Sequence, residues 1–167
     1  MKKLLLKIVL GLLLSTNTYA ENLKFTKIIN LDKPWGSSFI SDNEMIVTEK
    51  NGKIKIINIK NGNVTNIDHN LNFLETGQGG LLDIIYKDNY LWISYAENRG
   101  NSETSTSIAR GKFNKEKIDF KNIFQASPPI NSGYHFGSRL AIKDNYIFAS
   151  VGERGQGMIA QDPTQHP

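Results

Sequence analysis

The sequence predicts an all-β fold built as a β-propeller, and three observations carry that prediction. Beyond residue 20, helical periodicity is nearly lacking. Short runs rich in Ile, Val, Tyr, Phe and Trp are set off by Asn, Asp, Gly and Lys, the pattern of strands divided by turns. Asn51-Gly52 and Asn61-Gly62 stand between such runs. Asn-Gly is a strong hairpin signal because type I′ turns need positive φ at both central positions. Finally, Lys87-Asp88-Asn89-Tyr90-Leu91-Trp92-Ile93-Ser94 recurs 56 residues later as Lys143-Asp144-Asn145-Tyr146-Ile147-Phe148-Ala149-Ser150. A weaker copy, Ser41-Asp42-Asn43-Glu44-Met45-Ile46-Val47-Thr48, lies 46 residues before the first. Recurrence at that spacing fits blades of about four strands. The bland alternative is chance likeness of two hairpins, since turn chemistry favours Asp and Asn everywhere.

The elements follow in order. Met1-Lys2-Lys3 is a basic start, Leu4 to Leu14 an apolar run broken by Lys7, and Thr18-Tyr19-Ala20 a small-residue site. These are the parts of a secretory signal peptide over residues 1–20, cleaved after Ala20. The apolar run is too short for a membrane span. Strands are expected at Phe39-Ile40, Glu44 to Thr48, Lys53 to Ile59 and Asn63 to Ile67. Leu81 to Tyr86 and Tyr90 to Ala96 pair across Lys87-Asp88-Asn89. Ser105 to Phe113 and Lys117 to Ile123 continue the meander. Arg139 to Ile142 and Tyr146 to Val151 pair across Lys143-Asp144-Asn145. The polar stretch from Ala96 to Ser107 reads as a long loop on one face, and Gln125 to Gly133 as a second loop leading into His135. Residues 21–167 thus form one partial propeller, with about two blades and the start of a third.

Charge and composition narrow the function. Loss of Lys2, Lys3 and Lys7 with the signal takes the formal charge from +4 to +1, so the basic balance argues for export rather than nucleic acid. A periplasmic or secreted location is expected. With no cysteine, thiol chemistry and Cys-ligated clusters are excluded. The three histidines, His69, His135 and His166, show no zinc spacing, and no nucleophile elbow or phosphate loop is present.

His135 follows a Gly-Tyr loop end and precedes a strand, where a propeller displays residues around its channel. An imidazole there can take a proton from a hydroxyl. Read alone, such a histidine more often serves structure. Gln78 lies among Gly77, Gly79 and Gly80, which allow close backbone approach, and its amide offers donors and an acceptor. The plain reading is a solvated glutamine in a glycine-rich turn. Arg139 could face an anionic group or pair with Asp83; the structural pair is favoured.

Two segments carry a resemblance: Gly77-Gln78-Gly79-Gly80-Leu81-Leu82-Asp83, and His135-Phe136-Gly137-Ser138-Arg139-Leu140 followed by Gly152-Glu153-Arg154-Gly155-Gln156 and Ala160-Gln161-Asp162. With Pro34-Trp35, Val47-Thr48-Glu49 and Ser94-Tyr95-Ala96-Glu97, their order resembles the N-terminal part of the soluble PQQ-dependent aldose dehydrogenases of the glucose/sorbosone type. That resemblance implies a six-bladed propeller and oxidation of an aldose anomeric hydroxyl to the lactone, with an external electron acceptor. It implies His135 as general base and cofactor neighbour, and Gln78 as a PQQ contact. No metal ligand is assigned in this chain, because the family's calcium ligands and its Arg-Asn cofactor pair are expected beyond Pro167. Tyr134 departs from relatives that carry an acid beside the histidine, so the resemblance names no acid–base partner. Gln156 and Gln161 stay unassigned across a length difference before Gly152. The rival readings are a non-catalytic exported propeller that binds a glycan or protein, and an inactive truncated fragment. The isolated chain is expected to fold poorly or self-associate, because open blades expose sheet faces.

Overall fold

The computed structural model describes residues 24–162 and Thr164. The expected signal peptide, its cleavage site and His166 lie outside the described residues. Eleven strands form three sheets, antiparallel except for one short parallel pair, and the described chain otherwise contains one 3-10 turn, Ile159–Gln161. Blade one is β1 (Pro34–Phe39), β2 (Glu44–Glu49), β3 (Lys53–Asn58) and β4 (Val64–His69). Blade two is β5 (Leu81–Lys87), β6 (Tyr90–Asn98), β7 (Thr104–Lys112) and β9 (Lys121–Gln125). β10 (Gly137–Lys143) and β11 (Tyr146–Val151) are two strands of a third. Two meandering blades and the start of a third make a partial β-propeller.

Local chemistry explains most boundaries. Asp88 and Asn89 both take positive φ, 51° and 62°, so the type I′ turn sits there. The Asn51-Gly52 hairpin forms, but by other means than type I′. Glu49 pairs with Lys53 across a three-residue loop, and Gly52 alone takes positive φ, at 96°. Its N–H closes the turn on the Glu49 carbonyl at 3.0 Å.

The first strand begins earlier than its apolar residues suggest, at Pro34, because Gly36 packs its backbone against that of Asp83. The expected strand from Lys117 to Ile123 is two pieces. β8 (Lys117–Ile118) pairs in parallel with β4 of blade one, and β9 pairs with β7 of blade two. Asn70 fixes the crossing: its amide donates to the Phe120 carbonyl at 3.1 Å and its oxygen accepts the Phe120 N–H at 2.8 Å. The expected loop from Ala96 to Ser107 is mostly strand. β6 and β7 stay paired as far as Asn98 and Thr104. Thr104, Ser105, Thr106 and Ser107 are polar yet buried, which is tolerable because each hydroxyl finds a partner.

The blades share one core. Ile46, Ile54, Ile56 and Ile67 of blade one pack with Leu81, Ile84, Leu91 and Ile93 of blade two. A smaller cluster of Leu82, Ala96 and Phe136, with Trp35 against it, joins the blades near the loops that precede β5 and β10.

One polar device repeats through the blades. The innermost strand of each slips register at the same place: Pro34 to Ser37, Leu81 to Ile84 and Gly137 to Leu140. A bulge leaves an N–H outside the ladder. In each blade a hydroxyl of the next strand takes it: Gly36 N–H on Thr48 Oγ1, Asp83 N–H on Ser94 Oγ and Arg139 N–H on Ser150 Oγ, each at 3.0 Å. Thr48 then donates to the Leu82 carbonyl of the following blade at 2.5 Å, and Ser94 to the Ser138 carbonyl at 2.6 Å. Asp83 adds to the second seam, accepting the Leu140 N–H at 2.8 Å and Arg139 Nη1 at 3.1 Å. The expected Arg139–Asp83 pair is therefore present, with Arg139 also 5.0 Å over the Trp35 ring.

Candidate functional site

Three loops meet at one end of the blades: residues 75–80 before β5, 126–136 before β10 and 152–162 after β11. Their meeting depends on glycine. Gly77 takes φ 52°, and its Cβ position is filled by the Gly133 backbone, so only glycine lets these loops touch. The Gln78 N–H donates to the Gly133 carbonyl at 2.7 Å. The Lys50 ammonium caps the Gly77 carbonyl from the β2–β3 turn.

Gln78 and His135, 57 residues apart, are joined directly: the His135 N–H donates to Gln78 Oε1 at 2.9 Å. The amide oxygen is thus engaged in holding the histidine loop. Gln78 Nε2 keeps its hydrogens for another acceptor. Gly152 seals the other side, since any Cβ there would collide with the His135 carbonyl oxygen.

The His135 side chain is 53% exposed, and its Nδ1 contacts Glu153 Oε1. His135 itself takes φ 46°, a sparsely populated conformation that marks a constrained position. Its hydrogen bond with His135 holds the Glu153 carboxyl below the usual carboxylate range. An ionised Glu153 accepts Nδ1–H and leaves the lone pair on Nε2, facing solvent. The site thus holds a histidine of fixed tautomer, paired with a carboxylate, beside an amide donor. That arrangement can remove a proton from a bound hydroxyl.

Glu153 answers the gap at Tyr134. The acid comes from the loop after β11 rather than from the neighbour of His135. The sequence motifs contain Glu153 without assigning it a role. A signal existed: the 56-residue recurrence runs on past Ser150, so that Ser94-Tyr95-Ala96-Glu97 matches Ser150-Val151-Gly152-Glu153. Glu97 is likewise a polar hub, accepting from Ser107, Asn122 and Gln125. Tyr95 beside it is pushed up to about 12, mainly by burial and then by the Glu97 charge, so it stays a neutral phenol.

His69 stands apart as a structural histidine. Its Nε2–H donates to the Gly52 carbonyl at 2.8 Å and its Nδ1 accepts the Leu71 N–H at 3.2 Å. Among the described residues, no group of three or more His, Cys, Asp or Glu side chains is placed to hold a metal ion.

Comparison with known proteins agrees with this architecture. The family model described as glucose/sorbosone dehydrogenase matches residues 31–167. The chain is 30% identical over 142 residues to the aldose sugar dehydrogenase YliI of Escherichia coli, covering 79% of this chain and 38% of that protein. Among solved structures, the apo soluble aldose sugar dehydrogenase of Escherichia coli superposes with a TM-score of 0.73 at 30% identity, over 79% of this chain and 41% of that one. The PQQ-bound aldose sugar dehydrogenase of Streptomyces coelicolor shares the fold, with a TM-score of 0.69 at 22% identity, over 80% of this chain and 42% of that one. The chain thus spans about two fifths of these relatives. It belongs to the glucose/sorbosone dehydrogenase family and corresponds to the N-terminal part of that fold.

Proposed function

We propose that the full-length protein is an exported, PQQ-dependent dehydrogenase that oxidises an aldose at its anomeric hydroxyl to the lactone, with His135 as the general base. The observation that carries this reading is the His135–Glu153 contact beside Gln78, in a chain whose relatives include aldose sugar dehydrogenases. The residues present fit a quinone that carries carboxylates. Gln78 Nε2 has no protein partner among the described residues and can donate to its oxygen atoms, while His135 Nε2, also without a protein partner among the described residues, keeps its lone pair for the substrate hydroxyl. Gln78 and His135 would hold this edge of the cofactor. When bound, PQQ supplies the acceptor for the hydride that leaves C1 of the sugar.

The chain's own groups handle the proton. His135 Nε2 takes it from the C1 hydroxyl as the carbonyl forms. Glu153 keeps the ring in the Nδ1–H tautomer and stabilises the imidazolium that results. Gln78 fixes the His135 backbone, so the ring stays within reach of the hydroxyl. Calcium and an external electron acceptor belong to the same reading, with the calcium ligands outside this chain. Location in the periplasm or outside the cell follows from the N-terminal signal. Among the described residues, no helix is long and apolar enough to cross a membrane.

PQQ titrations and steady-state sugar oxidation on full-length variants test the reading. His135→Ala is expected to lower turnover about 100- to 10,000-fold while PQQ still binds. Gln78→Ala is expected to weaken PQQ, and to lower turnover as well because it frees the His135 backbone. If His135→Ala keeps more than about a tenth of parental turnover, the base role fails, and a non-catalytic propeller becomes the better reading.

A further inference from the structure

The residue that follows the carboxylate is buried and has no role in the reading above. Arg154 is 4% exposed and makes no ion pair with any described carboxylate. Its guanidinium is held instead by oxygen atoms of two separate segments. Nε donates to the Tyr134 carbonyl at 3.0 Å, Nη1 to the Thr104 carbonyl at 2.9 Å, and Nη2 to Thr104 Oγ1 at 2.7 Å and to the Ser132 carbonyl. It lies 3.7 Å over the Phe136 ring. Its backbone joins the same loop: Arg154 N–H donates to the His135 carbonyl at 3.3 Å, and Ser132 Oγ donates to the Arg154 carbonyl at 2.7 Å. Burial lowers the guanidinium to about 10, so it stays cationic at neutral pH.

The turn that carries it is unusual. The Gln156 N–H closes on the Glu153 carbonyl at 2.9 Å, and both central residues, Arg154 and Gly155, take positive φ, 59° and 83°. An arginine rarely adopts that conformation, and it persists when its surroundings fix it. The consequence is that one four-residue turn sends two arms to His135. Glu153 reaches its ring, and Arg154 grips the main chain just before it, at Ser132 and Tyr134.

We propose that Arg154 is a positioning residue that holds the His135 loop against the start of β7, so that the imidazole meets both Glu153 and the substrate hydroxyl. The fork is needed because three nitrogens serve four acceptors on two segments. A lysine carries the charge but not that geometry. This inference rests on the reading of His135 as the base.

The test uses the full-length protein, as parent, Arg154→Lys, Thr104→Val, His135→Ala and the Arg154→Lys/His135→Ala double variant. Nitrogen-15 NMR of the His135 imidazole reads the tautomer directly and does not depend on activity. In the parent, the Nδ1–H form should dominate. In Arg154→Lys the two tautomers should mix, and turnover on the PQQ-loaded protein should fall about 100-fold, the scale of a roughly 1 Å misplacement, with KM nearly unchanged. Thr104→Val removes one acceptor and should shift both readouts the same way by less. The double variant should be no slower than His135→Ala alone, since residues that act through one group are not additive. A folded Arg154→Lys protein, judged by its thermal transition, with parental tautomer and turnover overturns the proposal. So does full additivity in the double variant. If Arg154→Lys does not fold, Thr104→Val decides on the same two readouts. A parent that binds PQQ and oxidises no aldose sinks the base reading instead, while the NMR arm still reports whether Arg154 fixes His135.

Discussion

In the proposed reaction, the protonation of the His135 imidazole is set by Glu153. Glu153 fixes which nitrogen carries the proton, and a charged acceptor holds that proton more firmly than a neutral one. Glu153→Gln keeps the size of the side chain and removes the charge. It is expected to lower turnover, with a smaller loss than His135→Ala, and steady-state rates on the two variants check the order. The pH dependence has a definite sign. The Glu153 carboxyl lies below its ordinary value of 4.5 in the folded protein. Its contribution to stability is therefore present above about that pH and disappears as pH falls through the lower, folded value. Denaturation of parent and Glu153→Gln at a series of pH values should show a gap near neutrality that closes in acid. A gap that widens in acid contradicts the assignment.

At the level of strands, the hydroxyls of β2 and β6 settle what the bulges leave open. Ser94→Ala strands the Asp83 N–H and the Ser138 carbonyl, and Thr48→Val strands the Gly36 N–H and the Leu82 carbonyl. Each buried, unpaired group costs about 1–3 kcal/mol, so each variant, with two such groups, should lose about 2–6 kcal/mol in chemical denaturation. A loss below about 0.5 kcal/mol, typical of surface changes, would mean that the ladder holds nothing. How far these strands could be read from sequence depends on how local their causes are. The hairpin at Asp88-Asn89 was legible because turn chemistry resides in the turn itself. The break between β8 and β9 was not, because it is made by Asn70, 50 residues away. Thr104 read only as loop because its polarity is answered by a distant partner, Arg154. His135 and Gln78 were legible as motifs. Their contact with each other, and the approach of Glu153, exist only once three loops have been folded to one end.

Across the whole molecule, the outer strand of the third sheet stays open. Tyr146 is 70% exposed and Phe148 56%, their rings side by side, and exposed apolar surface promotes association. The 167-residue chain by itself is expected to self-associate as its concentration rises. Sedimentation velocity checks this, and a dilute monomer with one cooperative thermal transition would refute it. The hydroxyl ladder adds a direction to the assembly. Thr48 donates forward to Leu82 and Ser94 forward to Ser138; each of the first two blades presents a donor whose shortest hydrogen bond is to its successor. A ribosome delivers the blades in that same order, and N-terminal parts generally fold first during synthesis. The first blade out therefore holds a hydroxyl whose best acceptor arrives with the second, and the second blade's hydroxyl finds its acceptor in the third. The polarity of these two O–H bonds thus runs in the same direction as synthesis, from the first blade toward the third.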